Sequence, residues 1–219
     1  MINAEAYKLL IKELENTNTT LVAVSKTKPA ADIQALYELG QRDFGENYVQ
    51  ELVDKQVALP KDINWHFIGH LQSNKVKYIA PFVFLIHGVD SYNLLKEINK
   101  QASKNNRVID CLLQIHIAQE ETKFGFDERE LEQLFSTDLA SLTNIRIKGV
   151  MGMASFSDDK EKVRGEFKRL KSLFDKYKNL SIVNCQLSIL SMGMSGDYQL
   201  AIEEGSTMVR IGSLLFGSR

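Results

Sequence analysis

Short runs of apolar and β-branched residues recur along the chain, and segments with helical spacing of apolar positions lie between them. The runs predict eight strands, at residues 21–25, 43–46, 65–68, 82–89, 111–117, 147–153, 186–190 and 208–216. Strands that alternate with helices form βαβ units with a parallel sheet. Eight units in a chain of this length favour an α/β protein with a single (β/α)8 TIM barrel, and an open doubly wound sheet is the alternative.

Helix boundaries between the strands carry capping and turn residues. Pro29 opens a helical stretch that Gly40 closes, as expected where proline begins a helix and glycine ends it. Ser91 is placed to cap the helix after the fourth strand. Asp127 and Glu130 have the spacing of a capping box. These signals place helices on the segments that connect the strands.

A long amphipathic helix is predicted before the seventh strand. Its apolar positions recur at alternating steps of four and three on a highly charged surface: Val163, Phe167, Leu170, Phe174 and Tyr177. Such a stripe is typical of a helix packed on a core, and we assign it no ligand.

The predicted elements differ from a regular barrel in the position of one helix. Only residues 217–219 follow the eighth strand, too few for an outer helix, whereas an extra helix with apolar positions at Ala6, Leu9, Leu10 and Leu14 precedes the first strand. We expect this N-terminal helix to cover part of the barrel wall. No linker or repeat interrupts the alternation, so residues 1–219 are predicted to form one domain.

Composition and charge exclude several classes of protein. The 219 residues are 44% hydrophobic and 25% charged, as in a globular protein with a sizeable core. Lys+Arg 27 against Asp+Glu 28 gives a net charge of -1, so no overall field attracts nucleic acid or a membrane. The N-terminal segment has no unbroken apolar run, which argues against a signal peptide and favours a cytoplasmic protein. Cys111 and Cys185 are expected to be buried thiols.

Lys26 stands at the end of the apolar first strand. Reactive residues of parallel barrels come from the carboxyl ends of the strands and the loops after them. Burial there lowers the pKa of a lysine and makes it a candidate Schiff-base amine. Lys26 is therefore a candidate functional residue.

The turns after the last two strands, at residues 191–196 and 210–213, are rich in glycine and serine. Barrels often bind a phosphate between these two loops, where glycine lets backbone N–H groups approach the anion. Asp197 is expected to cap the helix that follows. Arg210 lies inside an apolar run, and a buried guanidinium needs a partner.

Several motifs are absent from the sequence. No two glycines are two residues apart and no GK[ST] occurs, which excludes the dinucleotide fingerprint and the P-loop. His66 and His70 are four apart, but Phe67 follows where a zincin has glutamate, so no metal site is expected. His87 and His116 are interpreted as core or rim residues, and no hydrolase triad is found.

Five segments resemble the pyridoxal phosphate homeostasis protein family: VSKTKP (24–29), FGENYVQE (44–51), WHFIGHLQSNK (65–75), SMGMSGD (191–197) and GSTMVRIGSLLFG (205–217). They occur in the family's order and span nearly the whole chain. The resemblance implies the barrel of the alanine racemase N-terminal domain and of eukaryotic-type ornithine decarboxylase. It also implies binding of pyridoxal 5'-phosphate (PLP) through a lysine, with no firmly assigned catalytic activity.

The resemblance also implies roles for single residues. Lys26 would bind PLP covalently, and Lys28 would be a secondary acceptor. The phosphate would lie between Ser195 and the backbone of Gly212 and Ser213, in agreement with the barrel argument. Arg210 would face the pyridine nitrogen. The ring would be lined by Asn47, His66 and Ile68, with Met151 and Met192 as weaker candidates; no catalytic residue is assigned.

Arg210 bears on the choice between a carrier and an enzyme. A permanently charged guanidinium disfavours a second positive charge on the pyridine ring, which weakens the electron sink that carbanion chemistry needs. We therefore expect a monomeric PLP-binding protein that buffers the cofactor or delivers it to PLP-dependent apo-enzymes. The alternatives are a PLP-dependent racemase or decarboxylase, and a barrel enzyme that acts on a phosphorylated metabolite without PLP.

Overall fold

Eight parallel strands form a closed barrel in the computed structural model, which describes residues 2–118, 124–179 and 183–217. Each strand pairs with its neighbours in chain order, and the last pairs with the first. The strands are β1 (Thr20–Val24), β2 (Asp43–Glu46), β3 (Asn64–Phe67), β4 (Leu85–Val89), β5 (Ile109–Gln114), β6 (Ile145–Met151), β7 (Cys185–Ser191) and β8 (Met208–Ile211). The predicted TIM barrel is confirmed, and the open sheet is excluded.

Helices of the described residues precede, connect and follow the strands of the barrel. They are α1 (Ala4–Glu15), α2 (Ala30–Glu38), α3 (Val49–Ala58), α4 (Val76–Ile79), α5 (Tyr92–Lys104), α6 (Glu128–Ser136), α7 (Lys160–Lys178), α8 (Tyr198–Glu203) and α9 (Ser213–Phe216). Short 3-10 turns occupy Ser73–Lys75 and Leu139–Ser141. The five apolar positions predicted for α7 are all buried.

Capping interactions confirm the predicted helix starts. The Ser91 side chain accepts a hydrogen bond from the Leu94 amide at 3.3 Å. Asp127 and Glu130 form the reciprocal capping box, with bonds of 2.7 and 2.9 Å. Both side chains therefore satisfy amides at the helix start that have no acceptor within the helix.

The predictions for the fourth, fifth, sixth and eighth strands extend two or more residues beyond the observed strands, and hydrogen bonding explains the eighth and the fourth. The eighth strand ends at Ile211, and residues 213–216 form α9, because the Leu215 and Phe216 amides bind the Gly212 carbonyl at 3.0 and 2.9 Å. The predicted fourth strand begins early, since the Phe82 amide binds the carbonyl of Ile79 at the end of α4. In both places a short apolar run has the composition of a strand and the hydrogen bonding of a turn.

The extra N-terminal helix is present as α1. It contacts β1 and α9 and buries Tyr7, Leu10 and Leu14. The Asn3 amide donates to the Leu215 carbonyl at 2.8 Å, which ties the start of α1 to the last helix. As predicted, α1 covers part of the barrel wall, beside β1, but Leu9, one of the apolar positions predicted for it, is exposed, and Tyr7 is buried instead.

The barrel interior changes from apolar to polar toward the carboxyl ends of the strands. Its apolar part is a cluster of side chains from five strands: Val22, Leu85, Leu112, Met151 and Met208. Alternate residues of a barrel strand point inward, so His87 and Arg210 lie on the inner face two positions beyond Leu85 and Met208. The larger apolar core lies between the strands and the helices.

Cys111 and Cys185 are free and buried, as predicted. Burial raises the pKa of both thiols, that of Cys185 to about 11, so both are protonated at neutral pH. No described helix is both long and apolar enough to cross a membrane.

Candidate functional site

A cavity of about 450 Å³ opens at the carboxyl ends of the strands. Its wall is built from residues at or after the ends of β1, β2, β3, β6, β7 and β8: Val24, Lys26, Asn47, Ile68, Met153, Ser155, Phe156, Ser157, Asp158, Val163, Met194, Ser195, Gly196, Asp197, Arg210, Gly212 and Ser213. This is the end of a parallel barrel at which functional residues collect. Seven of the eight residues predicted to bind the cofactor lie in this wall.

Lys26 is half-buried in the cavity wall, in a tight turn after β1. The Lys28 amide binds the Ser25 carbonyl at 3.0 Å and closes the turn around it. Thr27, the next residue, has a φ of 63°, in the left-handed region. The structure thus places the predicted amine at the cavity.

Lys28 lies outside the cavity wall. Its Nζ donates to the carbonyls of Phe216 and Gly217 at 3.0 and 3.2 Å, beyond the end of α9. A secondary role for Lys28 toward a ligand would therefore require these bonds to break.

The two turns predicted to bind phosphate meet at the cavity. The Gly212 amide donates to the Ser195 hydroxyl at 3.2 Å, which joins the turn after β8 to the turn after β7. Within the described ranges, the amides of Gly196 and Ser213 donate to no protein acceptor. Unpaired amides beside a cavity are donors available to an anion.

Gly193 sets the shape of the first of these turns. Its φ is 95°, and an added Cβ would lie 2.7 Å from Cβ of Ala201. Only glycine fits this backbone without strain. The Met194 amide then donates to the carboxylate of Asp197 at 2.6 Å.

Asp197 differs from its predicted role. It occupies the position before α8, but its side chain makes no capping bond to that helix. Its carboxylate accepts from the Met194 amide instead, and therefore stabilises the turn rather than the helix. The Asp197 carboxylate also lies near enough to Arg210 to stabilise the guanidinium charge.

Arg210 is almost fully buried and forms part of the cavity wall. Its Nη1 donates to the Ser191 hydroxyl at 2.7 Å and its Nη2 to the Gly152 carbonyl at 3.0 Å. Burial lowers the pKa of Arg210 to about 10, opposed by Asp197, so the guanidinium is charged at neutral pH. The partners that a buried guanidinium needs are thus, for Arg210, a hydroxyl and a carbonyl.

A chain of hydrogen bonds runs inward from Arg210 through the barrel. His87 Nδ1 lies 3.4 Å from Ser191 Oγ, and His87 Nε2 lies 2.9 Å from His66 Nδ1. His66 Nε2 lies 3.0 Å from Asp43 Oδ1. With both histidines neutral, every member donates toward Asp43: Ser191 to His87, His87 to His66, and His66 to the carboxylate.

His66 is the predicted site residue that the structure leaves out of the cavity. It is fully buried and bound to His87 and Asp43. Ile68, two positions later on the same face of the strand, reaches the cavity instead. His66 thus acts on the cavity only through His87 and Ser191, which corrects the expectation that it lines a ring there.

Two methionines are displaced in the same way. Met151 and Met192 are fully buried in the packed core, whereas Met153 and Met194 line the cavity. The period of two along a strand links Met151 to Met153, but Met194 lies in the turn after Gly193, where strand alternation no longer applies.

The loop after β6 contributes wall residues that the sequence analysis did not nominate. Ser155 is buried, and its amide and hydroxyl donate to the Glu166 carboxylate of α7 at 2.6 and 2.7 Å. Phe156, the next residue, is fully exposed at the cavity. In a parallel barrel every loop after a strand is a candidate for functional residues, but no sequence motif pointed to the loop after β6.

Asn47 Oδ1 is buried at the cavity and has no hydrogen-bond partner among the described residues. A buried acceptor without a partner is costly and marks a place where a ligand donor fits. No cluster of His, Cys, Asp or Glu suited to a metal ion occurs in the described residues. The cavity therefore combines an amine, a guanidinium, unpaired amides and one unpaired amide oxygen.

Comparisons with known proteins agree with this architecture. The family description "Alanine racemase, N-terminal domain" matches residues 4–219. The pyridoxal phosphate homeostasis protein of Aquifex aeolicus is 46% identical over 200 residues, which cover 91% of this chain and 86% of that protein. Its namesake from Synechocystis sp. is 39% identical over 224 residues, covering 100% of both chains. The structure of PipY from Synechococcus elongatus with PLP bound is 34% identical, with a TM-score of 0.88, and the match covers 98% of this chain and 99% of PipY.

Proposed function

Since the chain belongs to the pyridoxal phosphate homeostasis protein family, we propose that it binds PLP in the cavity at the carboxyl ends of the strands and buffers or delivers this cofactor. Such a role affects amino-acid and keto-acid metabolism through the enzymes that depend on PLP. The PLP-bound structure of PipY, which matches nearly the whole of both chains, supports the proposal.

One observation carries the proposal: the cavity joins Lys26, the amides of the last two turns and Arg210 in a single wall. PLP combines an aldehyde, a phosphate and a pyridine nitrogen, and supplies an aldehyde carbon that an amine can capture. An amine, anion-binding amides and a buried cation match these three groups. A barrel enzyme for a simple phosphorylated metabolite would not require the lysine.

Each part of the wall then has a role. Lys26 holds the cofactor covalently, and the phosphate lies against Ser195 and the backbone of Gly212 and Ser213, where the Gly212 amide exchanges its bond to the Ser195 hydroxyl for one to the anion. Arg210 faces the ring nitrogen and discourages its protonation. Asn47 accepts a hydrogen bond from the ring, and Ile68 packs on it. Lys28 is a secondary acceptor when Lys26 is absent, once it has left the carbonyls beyond α9.

A carrier suits this wall better than a catalyst. The described part of the wall contains neither tyrosine nor histidine. Amino-acid racemisation needs a proton donor and a proton acceptor on opposite faces of the substrate, and Lys26 supplies one face only. The Arg210 cation further weakens the ring as an electron sink.

The setting follows from the same role. PLP-dependent apo-enzymes are the proposed recipients, and the protein is proposed to act in the cytoplasm, where such enzymes are made. We propose that the protein acts as a monomer.

The visible spectrum of the purified protein tests the proposal. We expect a yellow protein, with borohydride reduction fixing the cofactor on Lys26 as shown by mass mapping. Lys26→Ala should remove most bound PLP and leave the fold intact, because the Lys26 side chain is only half-buried. Cofactor trapped chiefly on a lysine other than Lys26 or Lys28 would contradict the site, and a colourless protein that takes up no added PLP would contradict the function.

A further inference from the structure

A buried ionic cluster lies behind the turn that carries Lys26, between β1, β2 and α3. At its centre Lys55 Nζ donates three hydrogen bonds, to Ser25 O at 2.8 Å, Glu46 Oε1 at 2.7 Å and Glu51 Oε1 at 2.7 Å. The Ser25 hydroxyl also donates to Glu46 Oε1 at 2.6 Å. All three donors of the ammonium are therefore used, on three different elements.

The cluster holds both peptide units of Lys26. The Ser25 carbonyl, on the N-terminal side of Lys26, accepts from Lys55. The Thr27 amide, on its C-terminal side, donates to Glu51 Oε1 at 2.6 Å. The backbone of Lys26 is thus tied at both ends to a single buried group of charges.

The turn needs such support because its backbone is strained. Thr27 has a φ of 63°, and a β-branched residue is unfavourable in the left-handed region. A turn with positive φ at its third residue normally has glycine or asparagine there. Strained residues of this kind persist where the surroundings over-determine them, often beside a functional group.

Stability alone is a weak reason for this cluster. Lys55 and Glu46 are buried, and Glu46 Oε2 has no partner among the described residues. Burying an ion pair costs desolvation that its attraction often fails to repay, and apolar residues of similar volume frequently serve as well. The hydrogen bonds of the cluster also fix the geometry of the turn that carries Lys26, which apolar packing would not do.

We propose that Lys55 is a positioning residue which, through Glu46 and Glu51, fixes the strained turn so that the Lys26 amine points into the cavity. The proposal rests on the proposed function, in which Lys26 captures the cofactor aldehyde, forming one C=N bond and releasing one water. It also explains the choice of lysine: the same turn directs Lys28 away, toward the carbonyls of Phe216 and Gly217.

The rate of PLP attachment at Lys26 tests the proposal. Wild type and Lys55→Met are mixed with PLP and reduced with borohydride at intervals, and mass mapping gives the fraction of Lys26 modified. We expect Lys55→Met to slow attachment on the order of tenfold to a hundredfold, as misplacement of a reacting group by about 1 Å does. Lys61→Met, which removes an exposed lysine that binds the carbonyl of Val57 at the end of α3, is the matched control and should match wild type.

A second substitution separates positioning from general stability. Thr27→Gly removes the strain, so the turn no longer needs the cluster, and Thr27→Gly in Lys55→Met should restore most of the attachment rate. If Lys55→Met does not fold, Glu51→Met serves instead, because Glu51 is only half-buried and holds the Thr27 amide.

The outcomes are distinct. Attachment at the wild-type rate in the folded variants overturns the positioning role, and so does a loss that Thr27→Gly fails to restore. Slowed attachment that Thr27→Gly rescues supports it. Failure of wild type to take up PLP at all counts against the proposed function rather than against Lys55.

Discussion

His87 is a buried ionisable side chain on the inner face of the barrel. It is fully buried, with His66 on one side and Ser191 on the other. Burial lowers the pKa of His87 well below its ordinary value, and the neighbouring His66 ring and Arg210 cation lower it further. A neutral His87 fits the hydrogen bonds around it, since its Nδ1 then accepts from Ser191 while its Nε2 donates to His66. The residue thus links Arg210 to the barrel interior without adding charge.

Protonation of His87 should make stability depend on pH. Because its pKa is lower in the folded state, the unfolded chain binds more protons below about pH 6.5, and unfolding becomes easier as the pH falls there. We expect this residue to reduce the free energy of unfolding by up to about 1.4 kcal/mol per pH unit until the folded-state pKa is reached. Urea denaturation of wild type and His87→Gln at several pH values checks this. Equal slopes in the two proteins would show that His87 does not carry the effect.

Single residues were predictable from the sequence where they end a strand. Lys26 was identified by that position, whereas Arg210 was identified as a charged residue inside an apolar run, and both lie in the cavity wall. His66 was not placed correctly, because the alternation of a strand fixes the face of a side chain but not its depth in the barrel. The Lys55 cluster was missed since its members come from β1, β2 and α3 and form no local motif.

At the level of elements, the loops after β7 and β8 act as one unit. The Gly212 amide binds Ser195, and Gly193 permits the close approach of α8 to the turn. The sequence marked both loops by their glycines, but it extended the last strand through residues 213–216. An apolar run of four residues fits a strand or a helix equally well, and only the bonds to the Gly212 carbonyl decide.

A larger side chain at Gly212, where the two loops meet, should weaken binding of PLP more than binding of pyridoxal. A Cβ on Gly212 would lie 3.1 Å from the Val24 carbonyl oxygen, so Gly212→Val must shift the turn that we propose binds the phosphate. We expect pyridoxal, which lacks the phosphate, to bind wild type on the order of a hundredfold more weakly than PLP, because hydrogen bonds to a charged group contribute about 1.5–3 kcal/mol each. Equilibrium dialysis of both vitamers measures this difference.

Gly212→Val should bring the two affinities together by weakening PLP binding more than pyridoxal binding. Gly165→Val, at a helical glycine with open space around it, is the control for the added side chain. Equal affinity of wild type for PLP and pyridoxal would refute phosphate binding by these turns.

At the scale of the whole molecule, the apolar part of the barrel interior and the candidate functional site lie at different depths. Apolar side chains fill its lower interior, histidines and Ser191 form the layer above, and the cavity wall lies at the carboxyl ends. The alternation of strands and helices was enough to predict the barrel, since the apolar pattern of each segment identifies its own strand and helix. The depth of each layer in the barrel could not be predicted from the sequence, because it depends on the stagger between neighbouring strands.

The same architecture predicts that the protein turns over amino acids slowly or not at all. A general base must lie within about 2.6 to 3.2 Å of the proton it removes, or reach it through one water. Lys26 meets this need on one face of a bound amino acid, while the described wall offers no tyrosine or histidine for the other. In the proposed binding mode, the buried charge of Arg210 would also keep a ring nitrogen beside it from taking a proton, which would leave a carbanion poorly stabilised. We therefore expect exchange of α-protons with heavy water to be far slower than the roughly 1 to 1000 per second of typical enzymes, without inversion of configuration. NMR of the common amino acids and chiral analysis measure both, and turnover in that range that is lost in Lys26→Ala would make the protein an enzyme rather than a carrier.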